Sequence, residues 1–305
     1  MGTEDGHRHD AVVGVDGSEH ALHAVGWAAT EAQLRGLTLR IVHAAPRPAD
    51  PGATRSVPEI LARAFTVARR AAPDVGVSTA RSLQDPAASL LDAAGDAALL
   101  VVGMGGGDSA GGPLVGSVAL DVSGRAPCPV AVVRGGPVPP RGPVLVGVDT
   151  FGEDGLHRDD AALSVAFADA RRHGGRVIVL HARFVTGPRS PGDEQAADVA
   201  VRDRLRGELR PWTVRFPEVP VQVSVVHGNP AESLLRAAEG CRLVVLGTHG
   251  DGAYPRDLFG STSREVLRRS PVTVLVVNPD TVVAAPDEHV RSTRLDHPHD
   301  RSVLF

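Results

Sequence analysis

The residues best suited to chemistry lie in two glycine-rich stretches. Gly103-x2-Gly106-x9-Gly116-Ser117 recurs at the same internal spacing as Gly247-x2-Gly250-x9-Gly260-Ser261. Each stretch begins at the end of an aliphatic run and closes on a serine at the mouth of a segment with helical spacing. Glycine lets a backbone approach a ligand closely, and the free amides at a helix start favour an anion, so the chemistry indicated is phosphate binding. Two carboxylates, Asp16 and Asp149, end the first aliphatic run of their segments. An acidic side chain there can accept hydrogen bonds from a ribose, as in other nucleotide sites. One glycine loop after a strand is commonly only a tight turn; its recurrence at identical spacing favours a ligand.

These residues are positioned by a unit that occurs twice. Asp85–Gly106 (DPAASLLDAAGDAALLVVGMGG) aligns without gaps to Asn229–Gly250 (NPAESLLRAAEGCRLVVLGTHG), an offset of 144. The leading Val-Asp (Asp16, Asp149) recurs at an offset of 133, and Ile41–Ala44 matches Val179–Ala182 at 138, so the second copy carries insertions after Asp149 and before its middle strand. Short β-branched and aliphatic runs alternate with Ala-rich stretches of helical period. That alternation predicts an α/β fold, with a parallel sheet of five strands in each copy covered by helices on both faces. Asp85-Pro86 and Asn229-Pro230 fit the N-cap and first turn of a helix. The expected boundaries are an N-terminal tail at 1–9, a first domain at 10–135, a linker at 136–142, a second domain at 143–279 and a C-terminal tail at 280–305.

Composition removes whole mechanisms. All 32 basic residues are arginine, so there is no lysine for a Walker A loop, a kinase strand or Schiff-base chemistry. The net charge of −4 gives no general electrostatic case for nucleic acid. Mean hydropathy is −0.03, and the apolar runs are far shorter than the roughly 20 residues of a membrane helix. The acidic, His-bearing N-terminus does not read as a signal peptide, so the expected location is cytoplasmic, away from membranes. Cys128 and Cys241 are too few for a disulfide framework or a four-cysteine zinc site and read as small buried hydrophobes. His20 and His23 have metal-compatible helical spacing but lack a third ligand. His43 and His181 end buried strands and read as structural hydrogen-bonding groups. No catalytic constellation and no metal site are read from the sequence.

The paired motifs, together with the leading Val-Asp, the strand-end His-Ala and the closing APCPVAVV and SPVTVLVV, resemble the universal stress protein family in its tandem, actinobacterial, ATP-binding form. The resemblance covers about residues 10–278. It implies two tandem doubly wound domains, each of strand order 3-2-1-4-5, and adenine nucleotide as the ligand: ATP, alone or with Mg2+. In the first domain the nucleotide-binding roles fall on Asp16, Ala44, Val102, Gly103, Gly106, Gly116, Ser117 and Val118. In the second they fall on Asp149, Ala182, Leu246, Gly247, Gly250, Gly260, Ser261 and Thr262. Two departures stand out. Ala119 lacks the hydroxyl that Ser263 keeps in the second copy, and an acidic insertion follows Asp149. The functional readings are an ATP-binding stress-response regulator with slow or no hydrolysis, a nucleotide-free interaction protein acting through dimerisation, and, more weakly, a nucleotide-dependent enzyme. The fifth strands would be apolar edges if each domain stood alone, which implies pairing of the two domains within the chain and further homo-oligomerisation through other faces.

Overall fold

The structure, a computed structural model, describes residues 10–44, 56–105, 115–135, 139, 141–149, 159–183, 190–248, 260–279 and 281. The expected tails apart from residue 281, most of the linker, Gly106, Gly250 and most of the insertion after Asp149 lie outside the described residues.

The first half runs β1 (Asp10–Gly14), α1 (Glu19–Arg35), β2 (Thr38–Ala44), α2 (Val57–Ala71), β3 (Val77–Ser82), α3 (Pro86–Ala94), β4 (Ala97–Gly103), α4 (Ser117–Arg125) and β5 (Val130–Val133). The second runs β6 (Val144–Gly147), α5 (Asp160–His173), β7 (Val177–Arg183), α6 (Pro191–Glu208), α7 (Arg210–Arg215), β8 (Val221–His227), α8 (Pro230–Ala238), β9 (Leu243–Gly247), α9 (Ser261–Arg269) and β10 (Val274–Val277). The strands form one ten-stranded sheet in the order β3-β2-β1-β4-β5-β10-β9-β6-β7-β8. Each half is parallel throughout and has the order 3-2-1-4-5. Between the halves, β5 and β10 run antiparallel, with Val132 opposite Val274 and Val130 opposite Val276.

Strands buried on both faces are near-continuous in aliphatic residues, because helices cover each side. One core lies between the sheet and α1, α2, α5, α6 and α7, through Ala28, Ile41, Phe167 and Trp212. The other lies beneath α3, α4, α8 and α9, through Leu90, Val122, Leu234 and Val266. Both cores run across the two halves. Helix starts follow the local chemistry. Asp85 Oδ1 accepts from the amides of Ala87 and Ala88, and Asn229 Oδ1 from that of Glu232. α1 stops at Gly36, whose φ of 67° is left-handed and costs an L side chain strain that glycine avoids. β3, VSTARS, has no aliphatic run to announce it: it is an edge strand in which half of the residues are exposed and none is buried.

Candidate functional site

In an order of 3-2-1-4-5 the connections leave in opposite directions from the first and fourth strands, and a crevice opens beyond their carboxyl ends. Val13 registers with Val101 across β1 and β4, and Val146 with Val245 across β6 and β9. β1 therefore runs on to Asp16 beside β4, which ends at Gly103, and β6 runs on to Asp149 beside β9, which ends at Gly247, at corresponding switch points.

The strand ends carrying the carboxylates are anchored in the same way. In the first half the Val15 amide donates to the Val42 carbonyl at 2.9 Å, and His43 Nδ1–H donates to the Val15 carbonyl at 2.7 Å. In the second the Val148 amide donates to Leu180 at 3.0 Å, and His181 Nδ1–H to Val148 at 3.2 Å. Both histidines are buried, and desolvation holds His181 below its ordinary pKa despite the bond to Val148. Each is thus a fixed brace directly before the aspartate, and Ala44 and Ala182 follow these histidines near the ends of β2 and β7. Beyond the brace the halves diverge. Asp16 Oδ1 accepts from the Ser18 amide at 2.9 Å, tying it to the N-cap of α1. The Asp149 amide donates instead to Oδ2 of buried Asp159 at 3.0 Å, so the residue after the insertion returns to the strand end.

The glycine loops close alike. The Gly116 amide donates to the Met104 carbonyl at 2.8 Å, and the Gly260 amide to Thr248 at 3.0 Å. Both glycines are N-caps without a side chain to satisfy the first-turn amides of α4 and α9. Ser117 and Ser261 open these helices and are exposed, while Val118 and Thr262 are half-buried. Ser263 Oγ donates to the Gly247 carbonyl at 2.8 Å, so this hydroxyl ties helix to strand. Ala119 has none to offer Gly103. A Cβ on Gly103 would lie 2.8 Å from the carbonyl carbon and oxygen of His20, so close helix packing already demands this glycine. Beside Gly116 the nearest atom to such a Cβ is 3.7 Å away, and packing there makes no such demand.

A second concentration of charge is not apparent from the motifs. Arg242 Nε donates to Asp169 Oδ2 at 2.9 Å and its Nη2 to Glu31 Oε1 at 2.7 Å. Arg35 bonds Glu31 Oε2 at 3.1 Å, and His173 Nε2 lies 2.9 Å from Glu31 Oε1. Glu31, Asp169 and Arg242 are buried, at 2%, 0% and 4% side-chain exposure, and the side chain of half-buried His173 is 8% exposed. Glu31, Asp169 and His173 bring three ligand-type atoms within 4.8 Å of one another. Arg242 already stands among them, however, and Arg35 with Arg242 balances the two carboxylates. Burial lowers the pKa of neighbouring Arg172 to about 10, which still leaves it charged at neutral pH. A divalent ion would add two uncompensated buried charges, which argues against a metal centre here. The missed signal is a charge on an apolar stripe: Glu31 and Arg35 share a helical face with Ala24 and Ala28.

Burial pushes the Glu31 carboxyl up, but the hydrogen bond to His173 and the charges of Arg35 and Arg242 outweigh it and hold the group well below its ordinary value of 4.5. A depressed carboxyl stabilises the fold above its unfolded pKa and loses that contribution as pH falls. The stability difference between the wild type and Glu31→Gln is therefore expected to be largest above about pH 5 and to shrink steadily below it. Urea midpoints measured from pH 7 to 3 check this; a difference independent of pH would contradict it.

Comparisons with known proteins give the family and support the fold. The model of the Universal stress protein family matches twice, over residues 8–134 and 140–278. The chain therefore belongs to the universal stress protein family and carries two tandem copies of its domain. It is similar to Universal stress protein Rv2623 of Mycobacterium tuberculosis (strain ATCC 25618 / H37Rv), 35% identical over 286 residues, covering 86% of this chain and 95% of the relative. Universal stress protein Rv2005c of the same strain is 32% identical over 294 residues, covering 88% and 97%. Among solved structures, a universal stress protein from Archaeoglobus fulgidus DSM 4304 shares the fold with a TM-score of 0.62 at 19% identity, covering 89% of this chain and 99% of its own. Among the described residues no helix is long and apolar enough to cross a membrane.

Proposed function

We propose that the chain binds adenine nucleotide, ATP alone or with Mg2+, at the two switch points, and that occupancy regulates a stress response with slow or no hydrolysis. The observation carrying this reading is the twin loop closure: Gly116 to Met104 and Gly260 to Thr248. In both halves it sets a glycine-capped helix start beside the end of the strand neighbouring an aspartate. Backbone amides at such a start hold phosphate, and an aspartate one strand away suits the ribose. Asp16, Ala44, Val102, Gly103, Gly106, Gly116, Ser117 and Val118 would form the first site. Asp149, Ala182, Leu246, Gly247, Gly250, Gly260, Ser261 and Thr262 would form the second. On this reading the chain divides into domains at 10–135 and 143–279, works in the cytoplasm, and keeps its halves paired in solution, with further homo-oligomerisation through other faces.

Mass spectrometry of small molecules released from purified protein is expected to find adenine nucleotide, and calorimetry to give a millimolar-to-micromolar dissociation constant for ATP. Folded protein with neither a released nucleotide nor a binding heat would favour the alternative, a nucleotide-free interaction protein. That alternative draws on Gly103, whose presence helix packing explains without a ligand. The first site is expected to be the tighter, because Asp16 is held by a short turn while Asp149 borders a charged insertion. Gly116→Trp should then lower ATP stoichiometry more than Gly260→Trp; equal or reversed losses would refute the ordering.

A further inference from the structure

The β5–β10 ladder joins VAVV to VLVV, and both strands are wholly buried and apolar. Such a ladder has little means of telling the other half from a second copy of the same half, since hydrophobic pairing is not directional. Discrimination must come from groups with charge and geometry. The halves also exchange polar contacts on the α4/α9 face. Arg134, directly after β5, donates to the Leu267 carbonyl in the last turn of α9, and Asn278, directly after β10, donates to the Ala126 carbonyl at the C-cap of α4. These two residues occupy the same place in the two copies, at the offset of 144. Both bonds go to backbone carbonyls, an acceptor that either pairing presents.

On the α1/α5 face the symmetry breaks. Glu31 and Asp169 are counterparts at the offset of 138 that also relates His43 to His181, and so are Arg35 and His173. Two carboxylates therefore face each other across the pseudo-twofold axis. The guanidinium that hydrogen-bonds both comes from one copy only, because the counterpart of Arg242 at the offset of 144 is Ala98, while Arg35 hydrogen-bonds Glu31 and stands 3.6 Å from Asp169. Arg242 is also fixed at its root: its amide donates to the Pro143 carbonyl at 2.9 Å, just before β6.

We propose that Arg242 makes the pairing heterotypic: it is the shared cation through which the Glu31–Arg35 surface of the first half accepts the second half of this chain and disfavours another copy of itself. In a pairing of two first halves, Glu31 would meet Glu31 with Arg35 the only cation on each side and alanine in the place of the forked bridge. In a pairing of two second halves, two copies each of Arg242 and Arg172 would crowd two aspartates, leaving positive charge in excess. In the mixed pairing one guanidinium fork bonds both carboxylates, Asp169 within its own half and Glu31 across the axis.

The test uses the full chain with Arg242→Met, which keeps an apolar stem and removes the cation. Amide hydrogen exchange in Val130–Val133 and Val274–Val277 is expected to accelerate about tenfold or more, with the β1–β2 ladder within about twofold of wild type. Light scattering should show more dimer or higher oligomer than wild type, as the freed apolar strands pair between chains. Unchanged exchange at the junction, acceleration spread evenly over every strand, or an unaltered mass distribution would each overturn the proposal. Should Arg242→Met fail to fold, Glu31→Gln and Arg242→Lys provide the same readouts. Arg242→Lys, which keeps the charge and loses the fork, is expected to fall between wild type and Glu31→Gln, and equality with wild type in both variants would overturn the proposal.

Discussion

Aspartate in place of Val132 is expected to prevent the chain from reaching its native fold at neutral pH, or to lower its denaturation midpoint more than any conservative core change. Val132 is fully buried, registers with Val102 in β4 on one side and faces Val274 in β10 on the other. The side chain enters the core under α3, α4, α8 and α9, and the charges described above lie at the α1/α5 junction on the other face. An ionised carboxylate placed there would be stripped of water and given no partner, which costs several kcal/mol even after relaxation. A whole domain is typically stable by only about 5–15 kcal/mol. Val132→Ala gives the scale of the apolar part alone, about 2 kcal/mol of lost burial. Val214, 70% exposed, supplies the control, and Val214→Asp should move the midpoint by no more than about 0.5 kcal/mol. Circular dichroism and denaturant titration of the three variants are the measurement. A Val132→Asp protein that unfolds like wild type would mean that the β5–β10 junction is not closed in solution.

Much of this arrangement is legible before any coordinates, for a physical reason. A parallel sheet covered on both faces must bury both sides of each central strand, so β1, β4, β6, β9 and β10 appear as unbroken aliphatic runs. Helix starts are equally visible, because Asp85-Pro86 and Asn229-Pro230 combine a side-chain acceptor with a ring already set to helical φ. The edge strand β3 escapes notice for the converse reason. With a neighbour on only one side and much of its length exposed, VSTARS carries no constraint that would show as hydrophobicity.

The candidate site is legible in its chain order but not in its division of labour. Spacing identifies Gly103 and Gly116 as members of one motif, yet the first is required by the backbone of α1 and the second is not. Likewise Ser263 stands out as a hydroxyl near the start of α9, while its bond goes to the Gly247 carbonyl. The ionic cluster is hidden more thoroughly. Glu31, Asp169 and Arg242 lie far apart in the chain, and each resembles an ordinary surface charge until the pseudo-twofold axis brings them together. The offset alignment holds the clue, since it pairs Glu31 with Asp169 on helical faces otherwise made of alanine and aliphatic residues.

The difference between the two glycines leads to the second large effect. Gly103→Ala is expected to destabilise the protein by about 2–3 kcal/mol, and Gly116→Ala by no more than about 1 kcal/mol. At Gly103 the added methyl would lie 2.8 Å from the carbonyl carbon and oxygen of His20 and 3.0 Å from the Ala21 amide nitrogen. These are backbone atoms at the start of α1, so relief requires moving the helix, and α1 carries Glu31 into the junction near its other end. At Gly116 the nearest atoms are Gly105 Cα at 3.7 Å and the Met104 carbonyl oxygen at 3.9 Å, and the backbone there, φ −63° and ψ 150°, suits any residue. Gly14→Ala should fall between the two, because its methyl would meet the branch tip of Leu90 at 2.8 Å, and a side-chain end can turn aside. Denaturation midpoints for the three variants rank them directly. If Gly116→Ala costs as much as Gly103→Ala, the loop closure carries structural weight that its open surroundings do not indicate, and Gly116 loses its standing as a residue kept for the ligand.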